Sequence, residues 1–335
     1  MTQSFKKPLN AAGKTVQKNR RWNIRSMLGV LGPAIGLVLV FILFSLLRPD
    51  TFPTIGNAKQ ILLQSVVVGV AALGTTPVII SAGIDISIGA TIAVVTVAVA
   101  LMLNAHWPPL LAAFGGVGVG ALCGLFNGSC VTLLSLNPFI VTLGTFLAFR
   151  GAADVLGHEA EVYTHSNWLN RLMDPAHSFG FPWGVWIMIV LAALLILMLR
   201  YTRFGRHIFA IGSNEQTARL CGISVNRVKI WIYVLGGAFS GIAGVLMFSN
   251  EGGTGDPTTS KNTPLTAIAA AVIGGASLTG GQGSIVGTVI GAMFIMAIRN
   301  GCVQVDLPHG YQNIVTGLII IAAVLMDRLR NRREA

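Results

Sequence analysis

Few side chains here can do chemistry, and most of those sit among apolar neighbours. Asp85 lies in GIDISIG (83–89), between two apolar runs. A carboxylate at mid-membrane costs roughly 2.5–3.5 kcal/mol on an insertion scale, so it needs a partner or water. Either it touches a solute, or Asp85 or Ser87 accepts the free backbone N–H groups of a helix beginning near Ile88. NPFIVTLGT (137–145) follows the same logic. Pro138 suits a first helical position, with Asn137 as its cap. Thr142 and Thr145 share a face at i, i+3 and either bond back to the helix or line a polar path. Asn127, Asn300 and Gln312 are further polar groups near the ends of apolar runs.

The stretch 264–301 is nearly all apolar, with Arg299 its only charge, yet Gly274-Gly275 and Gly280-Gly281 interrupt it around Ser277. Each glycine inside a helix costs up to ~1 kcal/mol. Glycines at membrane depth indicate either close helix packing or a broken helix lining a protected cavity.

A third group is polar and charged. In GRHIFAIGSNEQTARLCGISVNRVK (205–229), Ser213 and Gln216 fit an S-x-x-Q capping box, and Gly222 supplies a helix stop. The expected product is a short helix over about 214–221. Asn214, Glu215, Gln216, Ala218 and Arg219 make it a docking handle or a surface connector.

None of these arrangements is catalytic. The chain has no GxxxxGK[ST], HExxH or GxSxG, so it binds no nucleotide by a recognisable phosphate loop and is not expected to be an enzyme. Cys123, Cys130, Cys221 and Cys302 form no zinc pattern, and His158, His165 and His177 lack ligand spacing, so no metal and no cofactor are expected.

The elements that must hold these groups are membrane helices. Hydrophobic residues make up 53% of the chain and charged ones 10%, and mean hydropathy is +0.72. Several apolar runs reach the ~20 residues needed to cross a bilayer and are too continuous for barrel strands. The fold class is therefore all-α, a polytopic bundle in a single domain over 27–327. The net charge of +11 is concentrated in residues 1–25, 200–229 and 327–335. That is the positive-inside pattern of a membrane protein and argues against nucleic acid as a partner.

Apolar runs near 27–48, 58–81, 86–105, 109–134, 138–156, 183–201, 228–249, 264–280, 283–301 and 309–327 give ten crossings. Parity then puts the tails 1–26 and 328–335 and the loop 202–227 inside, and the acidic loop 157–182 outside. The short runs 86–105 and 264–280 are also compatible with re-entrant segments, which leaves eight crossings open. Residues 78–95 and 272–290 share a pattern of apolar, then small and polar, then apolar. Paired interrupted segments of this kind mark a transport pathway.

Together, GIDISIG, NPFIVTLGT with Arg150-Gly151, TRFGRHIFAIGSNEQTARLCGI (202–223) and AIAAAVIGGASLTGGQGSIVGT (267–288) resemble the permease subunits of ribose/xylose/galactose-type ABC importers, over roughly 35–328. The resemblance implies a bacterial inner-membrane permease, paired with a second permease subunit as a homodimer or heterodimer, two cytoplasmic ATPases that hydrolyse the ATP, and an extracytoplasmic solute-binding protein. It implies that QTARLCG (216–222) is the coupling motif that docks into the ATPase. Gln216 departs from the glutamate usual there, and Pro264 and Thr266 stand where many relatives carry acids, which leaves the solute open. A branched-chain amino-acid permease shares the general architecture. An ion-coupled transporter would need buried carboxylates, and only Asp85 and Asp154 qualify.

Overall fold

The computed structural model describes residues 24–174 and 180–332. The first 23 residues of the basic N-terminal segment, His177 and the last three residues lie outside them. Twelve α-helices run in chain order: α1 (Ile24–Leu47), α2 (Ile55–Ile80), α3 (Ile88–Asn104), α4 (Pro109–Leu133), α5 (Pro138–Leu156), α6 (Trp183–Tyr201), α7 (Arg203–Ser213), α8 (Glu215–Leu220), α9 (Val225–Asn250), α10 (Thr263–Ile273), α11 (Ile285–Gln304) and α12 (His309–Arg332). The only strand pairing among the described residues is two residues long, β1 (Val162–Tyr163) against β2 (Thr254–Gly255).

Ten of these helices coincide with the ten apolar runs, but they are not equivalent. Six described helices are long and apolar enough to cross a bilayer: α2, α4, α5, α6, α9 and α11. The run 264–280, read as a crossing or a re-entrant segment, is an 11-residue helix followed by an irregular loop. At 1.5 Å per residue α10 spans about 16 Å, roughly half the ~30 Å hydrocarbon thickness. The glycines after Ile273 stop it, and Gly275, Gly280 and Gly281 all have positive φ.

Burial sorts the bundle into a centre and a periphery. The spanning window of α2 is 94% buried, whereas those of α4, α5 and α6 are less than a third buried. Large apolar side chains on these peripheral helices, such as Leu122, Ile140 and Leu194, face outward. That is the pattern of a bundle solvated by lipid.

Glycine brings α4 and α9 together. Gly116, Gly120, Gly124 and Gly128 recur every fourth residue along α4, so they form one stripe. A Cβ on Gly120 would strike the carbonyl of Gly237, and one on Gly124 that of Tyr233. Packing of small residues replaces the hydrophobic effect, which does not drive helix association in lipid.

Candidate functional site

Two sites and a junction between them are built from these helices. One face of the bundle carries β1 and β2, and the opposite face carries α7 and α8.

On the β face a cavity of about 470 Å3 opens between α2, α9, α10 and α11, a size suited to a small organic solute. Its polar lining comes from Gln64, Asn250, Thr258, the segment 260–263 with Lys261 and Asn262, Thr266, Arg299 and Asn300. Leu63, Val67, Met247 and Met296 supply its apolar walls. A second cavity of about 240 Å3, between α10, α11 and α12, shares Asn262, Thr266, Met296 and Arg299 with it and reaches Gln312. Asn300 is held by Gln304, whose Nε2 donates to Asn300 Oδ1 at 3.2 Å and to Asn57 Oδ1 at 2.6 Å.

The segment 251–263 that delivers Lys261 and Asn262 is held by contacts of its own. Arg150 of α5 donates to the carbonyls of Thr258 and Thr259. Thr259 Oγ1 donates to Glu251 Oε1 at 2.6 Å, and Asp256 accepts from Thr258 N at 2.6 Å. The other oxygen of Glu251 is buried without a partner. Burial, with Asp256 and Glu161 adding repulsion against the opposing bond from Thr259, pushes the Glu251 carboxyl up to about 7.

The polar groups of GIDISIG form a separate, enclosed cluster. Asp85 Oδ1 accepts both the backbone N–H of Ser87 at 2.9 Å and its hydroxyl at 2.6 Å. Asn127 of α4 donates to Ser87 Oγ at 2.7 Å, and Thr142 of α5 reaches the carbonyl of Ile84 at 3.2 Å. Asp85, Ser87, Asn127 and Thr142 are all buried. The expected capping is therefore displaced: Ser87 makes no side-chain cap on α3, and Asp85 satisfies the N–H of Ser87 itself, ahead of the helix. Two buried atoms at this cluster lack partners among the described residues, Asn127 Oδ1 and the hydroxyl of Tyr233, beside which a Cβ on Gly83 would lie. Asn137 caps α5 by accepting from Phe139 N at 2.9 Å. Thr142 and Thr145 bond back to helix carbonyls.

On the opposite face α8 stands as a capped projection. The expected Ser213–Gln216 capping box is absent, because Ser213 still belongs to α7. The cap is Asn214, whose extended backbone breaks α7 from α8 and whose Oδ1 accepts from Thr217 N at 2.9 Å. Gly222, at φ +82°, ends the helix. Its N–H bonds the carbonyl of Arg219 and that of Ile223 the carbonyl of Ala218, a Schellman pair. Ala218 is buried, whereas Gln216 and Leu220 are exposed. Glu215 bridges Arg219 at 2.8 Å and Lys229 of α9 at 2.6 Å, so α8 is tied to the bundle. Partial burial alone would raise the Glu215 carboxyl. Hydrogen bonds from Lys229 and Arg219, and their charges, outweigh it and hold the group below the usual carboxylate range.

The junction lies where α7 meets the two interrupted segments. Gly281 N donates to the carbonyl of Ile80 at 2.8 Å. A Cβ on Gly212 would overlap that same carbonyl, and one on Gly280 would meet Gly212 O at 2.6 Å. Gly274 packs α10 onto Gly287 of α11, and Ser277 is buried in the same loop. Thr76 and Thr288 hydroxyls, 2.9 Å apart, tie α2 to α11.

Of the candidate path residues, Asn300 lines the β-face cavity. Asp85, Ser87, Asn127, Thr142 and Thr145 are buried in or beside the enclosed cluster, Asn137 is a helix cap, and Gly274, Gly275 and Ser277 belong to the junction. Sequence reasoning missed Gln64, Asn250, Lys261 and Asn262 as lining groups. It noted Arg299 only as the lone charge of its segment, which was the available signal.

The chain matches the family described as "Branched-chain amino acid transport system / permease component" over residues 57–324. It is 36% identical over 322 residues to the ribose import permease protein of Bacillus subtilis (strain 168), covering 94% of this chain and 97% of the relative. Identity to the D-allose transport system permease protein of Escherichia coli (strain K12) is 37% over 295 residues, covering 88% and 90%. Identity to the fructose import permease protein of Rhizobium meliloti is 34% over 305 residues, covering 88% and 84%. No solved structure matches it.

Proposed function

This chain belongs to the family of branched-chain amino acid transport system permease components, and from that premise we propose how it works as the permease subunit of a monosaccharide ABC importer. The sugar assignment over the amino-acid one rests on relatives that align along most of their length and are named for ribose, allose and fructose. Such a subunit works in the membrane with ATPase and solute-binding subunits. We assign α7 and α8, with both termini, to the cytoplasm, and the β face to the outside; the clustering of Lys and Arg supports this orientation. A homodimer with two ATPases is the assembly we propose.

The single observation that carries the mechanism is the meeting of Gly212, Ile80 and Gly281. The ATPase grips α8 at its exposed Gln216 and Leu220. The ion pairs of Glu215 and the close packing of Gly212 pass its displacement to the ends of α2 and of the α10–α11 loop. Those helices also wall the β-face cavity, so ATP-driven movement at one face changes access at the other. The contacts offered to solute are mostly neutral amides and hydroxyls, which release a sugar readily. The test is uptake of labelled ribose, allose and fructose into proteoliposomes carrying the permease, its ATPase and its binding protein. ATP-dependent uptake of at least one is expected, and uptake indifferent to ATP sinks the reading.

A further inference from the structure

The β-face cavity has an unbalanced charge. Lys261 and Arg299 line it, and no Asp or Glu does. Arg299 also lines the adjoining cavity, which likewise has no acidic lining residue. Among the described residues neither cation has an ion-pair partner: the bridges there join Arg48 to Asp306 and Glu215 to Arg219 and Lys229. Of the acids nearest in sequence, Glu251 and Asp256 are engaged by Thr259 and Thr258, Asp306 is paired with Arg48, and none lines the cavity.

The neutral part of the wall offers both donors and acceptors. Asn300 is only 7% exposed and its Oδ1 is taken by Gln304, so its Nδ2, without a partner among the described residues, is a donor available at the wall. Thr266, also 7% exposed, spends its hydroxyl hydrogen on the carbonyls of Asn262 and Thr263, which leaves its oxygen as an acceptor for a sugar hydroxyl. Alongside amide and hydroxyl groups that serve sugar hydroxyls, the wall thus presents two cations with no carboxylate to balance them, more than a neutral polyol needs. Lys and Arg recognise carboxylate and phosphate oxygens by charge-assisted hydrogen bonds.

We infer that the solute admitted by this cavity is an anionic sugar derivative, bearing a carboxylate or a phosphate. The inference rests on the sugar-importer reading and narrows its substrate class. Both cations are on exposed residues in the single chain, so they concentrate and select anions at the entrance rather than binding them tightly.

The test uses the complete transporter in proteoliposomes, with D-gluconate and D-glucuronate as carboxylate probes, D-ribose 5-phosphate as the phosphate probe and D-ribose as the neutral one. At least one anionic probe should enter about tenfold faster than ribose when ATP is present. Whether the carboxylates or the phosphate gain identifies the group. Lys261→Gln with Arg299→Gln should abolish that preference, while Lys261→Arg with Arg299→Lys should retain it and so report that the fold is intact. If no anionic probe enters faster than ribose, or if the glutamine pair keeps the preference, the inference is overturned. ATP-dependent uptake of ribose would in that case leave the importer reading standing, whereas uptake indifferent to ATP would remove both.

Discussion

The amide of Gly281 donates to the carbonyl of Ile80 across 201 positions of sequence, at 2.8 Å. This bond closes the two interrupted segments on each other, and Gly212 covers it from the α7 side. An orphan carbonyl at the end of α2 is thereby satisfied by the loop after α10 rather than by water.

Gly212→Ala places a methyl group against the Ile80 carbonyl. Overpacking against backbone costs about 1–3 kcal/mol. Thermal unfolding of the purified protein should shift downward, and ATP-dependent uptake should fall further than the ATPase activity of the complex. Unchanged uptake would disconnect α7 from gating.

Gly222→Ala forces a side chain into φ +82° at the end of α8, at a cost of about 1–2 kcal/mol. Glu215→Gln removes both ion pairs at neutral pH. Each should weaken co-purification of the ATPase, the first more strongly, since Glu215 is partly solvent-screened. Because the carboxyl of Glu215 is held low, its stabilising effect is present above the ordinary carboxylate range. It is lost only as pH falls through the lowered value. The wild-type complex should therefore hold its ATPase at mildly acid pH as well as at neutral pH.

Glu251 has the opposite sign. Its carboxyl is raised to about 7 from an ordinary 4.5, so the folded protein binds a proton that the unfolded chain has released. Its contribution is fully present below about 4.5 and is lost as pH rises through about 7. Melting temperatures of the protein in nanodiscs should decline across that window, and Glu251→Gln should flatten the decline. An equal slope in the variant would assign the pH dependence elsewhere.

Asp85→Ala leaves the buried N–H and hydroxyl of Ser87 without their acceptor. An unsatisfied buried group costs about 1–3 kcal/mol. Asp85→Asn keeps one acceptor oxygen and should be milder, as measured by thermal unfolding and by the yield of monodisperse protein. Equal losses in the two variants would mean that charge rather than hydrogen bonding is the requirement.

The sequence alone determined what depends on neighbours along the chain. Hydropathy over 20 residues marks a helix that must satisfy its own backbone in lipid, so the ten runs were legible. The Asn137-Pro138 start of α5 and the Gly222 stop of α8 were legible for the same local reason. The cap at Asn214 was misread because Ser213 fits the pattern equally well, and only the continuation of α7 through Ser213 decides between them. The end of α10 was not legible because the glycines after Ile273 are apolar by composition, yet Gly275, Gly280 and Gly281 adopt positive φ. The cavity was decided by the tertiary structure alone. Gln64, Lys261 and Arg299 lie on separate segments, and their convergence depends on helix crossings set by contacts such as Gly120 on Gly237 and Gly274 on Gly287. Hydropathy records how far each residue prefers lipid or water; it carries no information about which distant residue it will face.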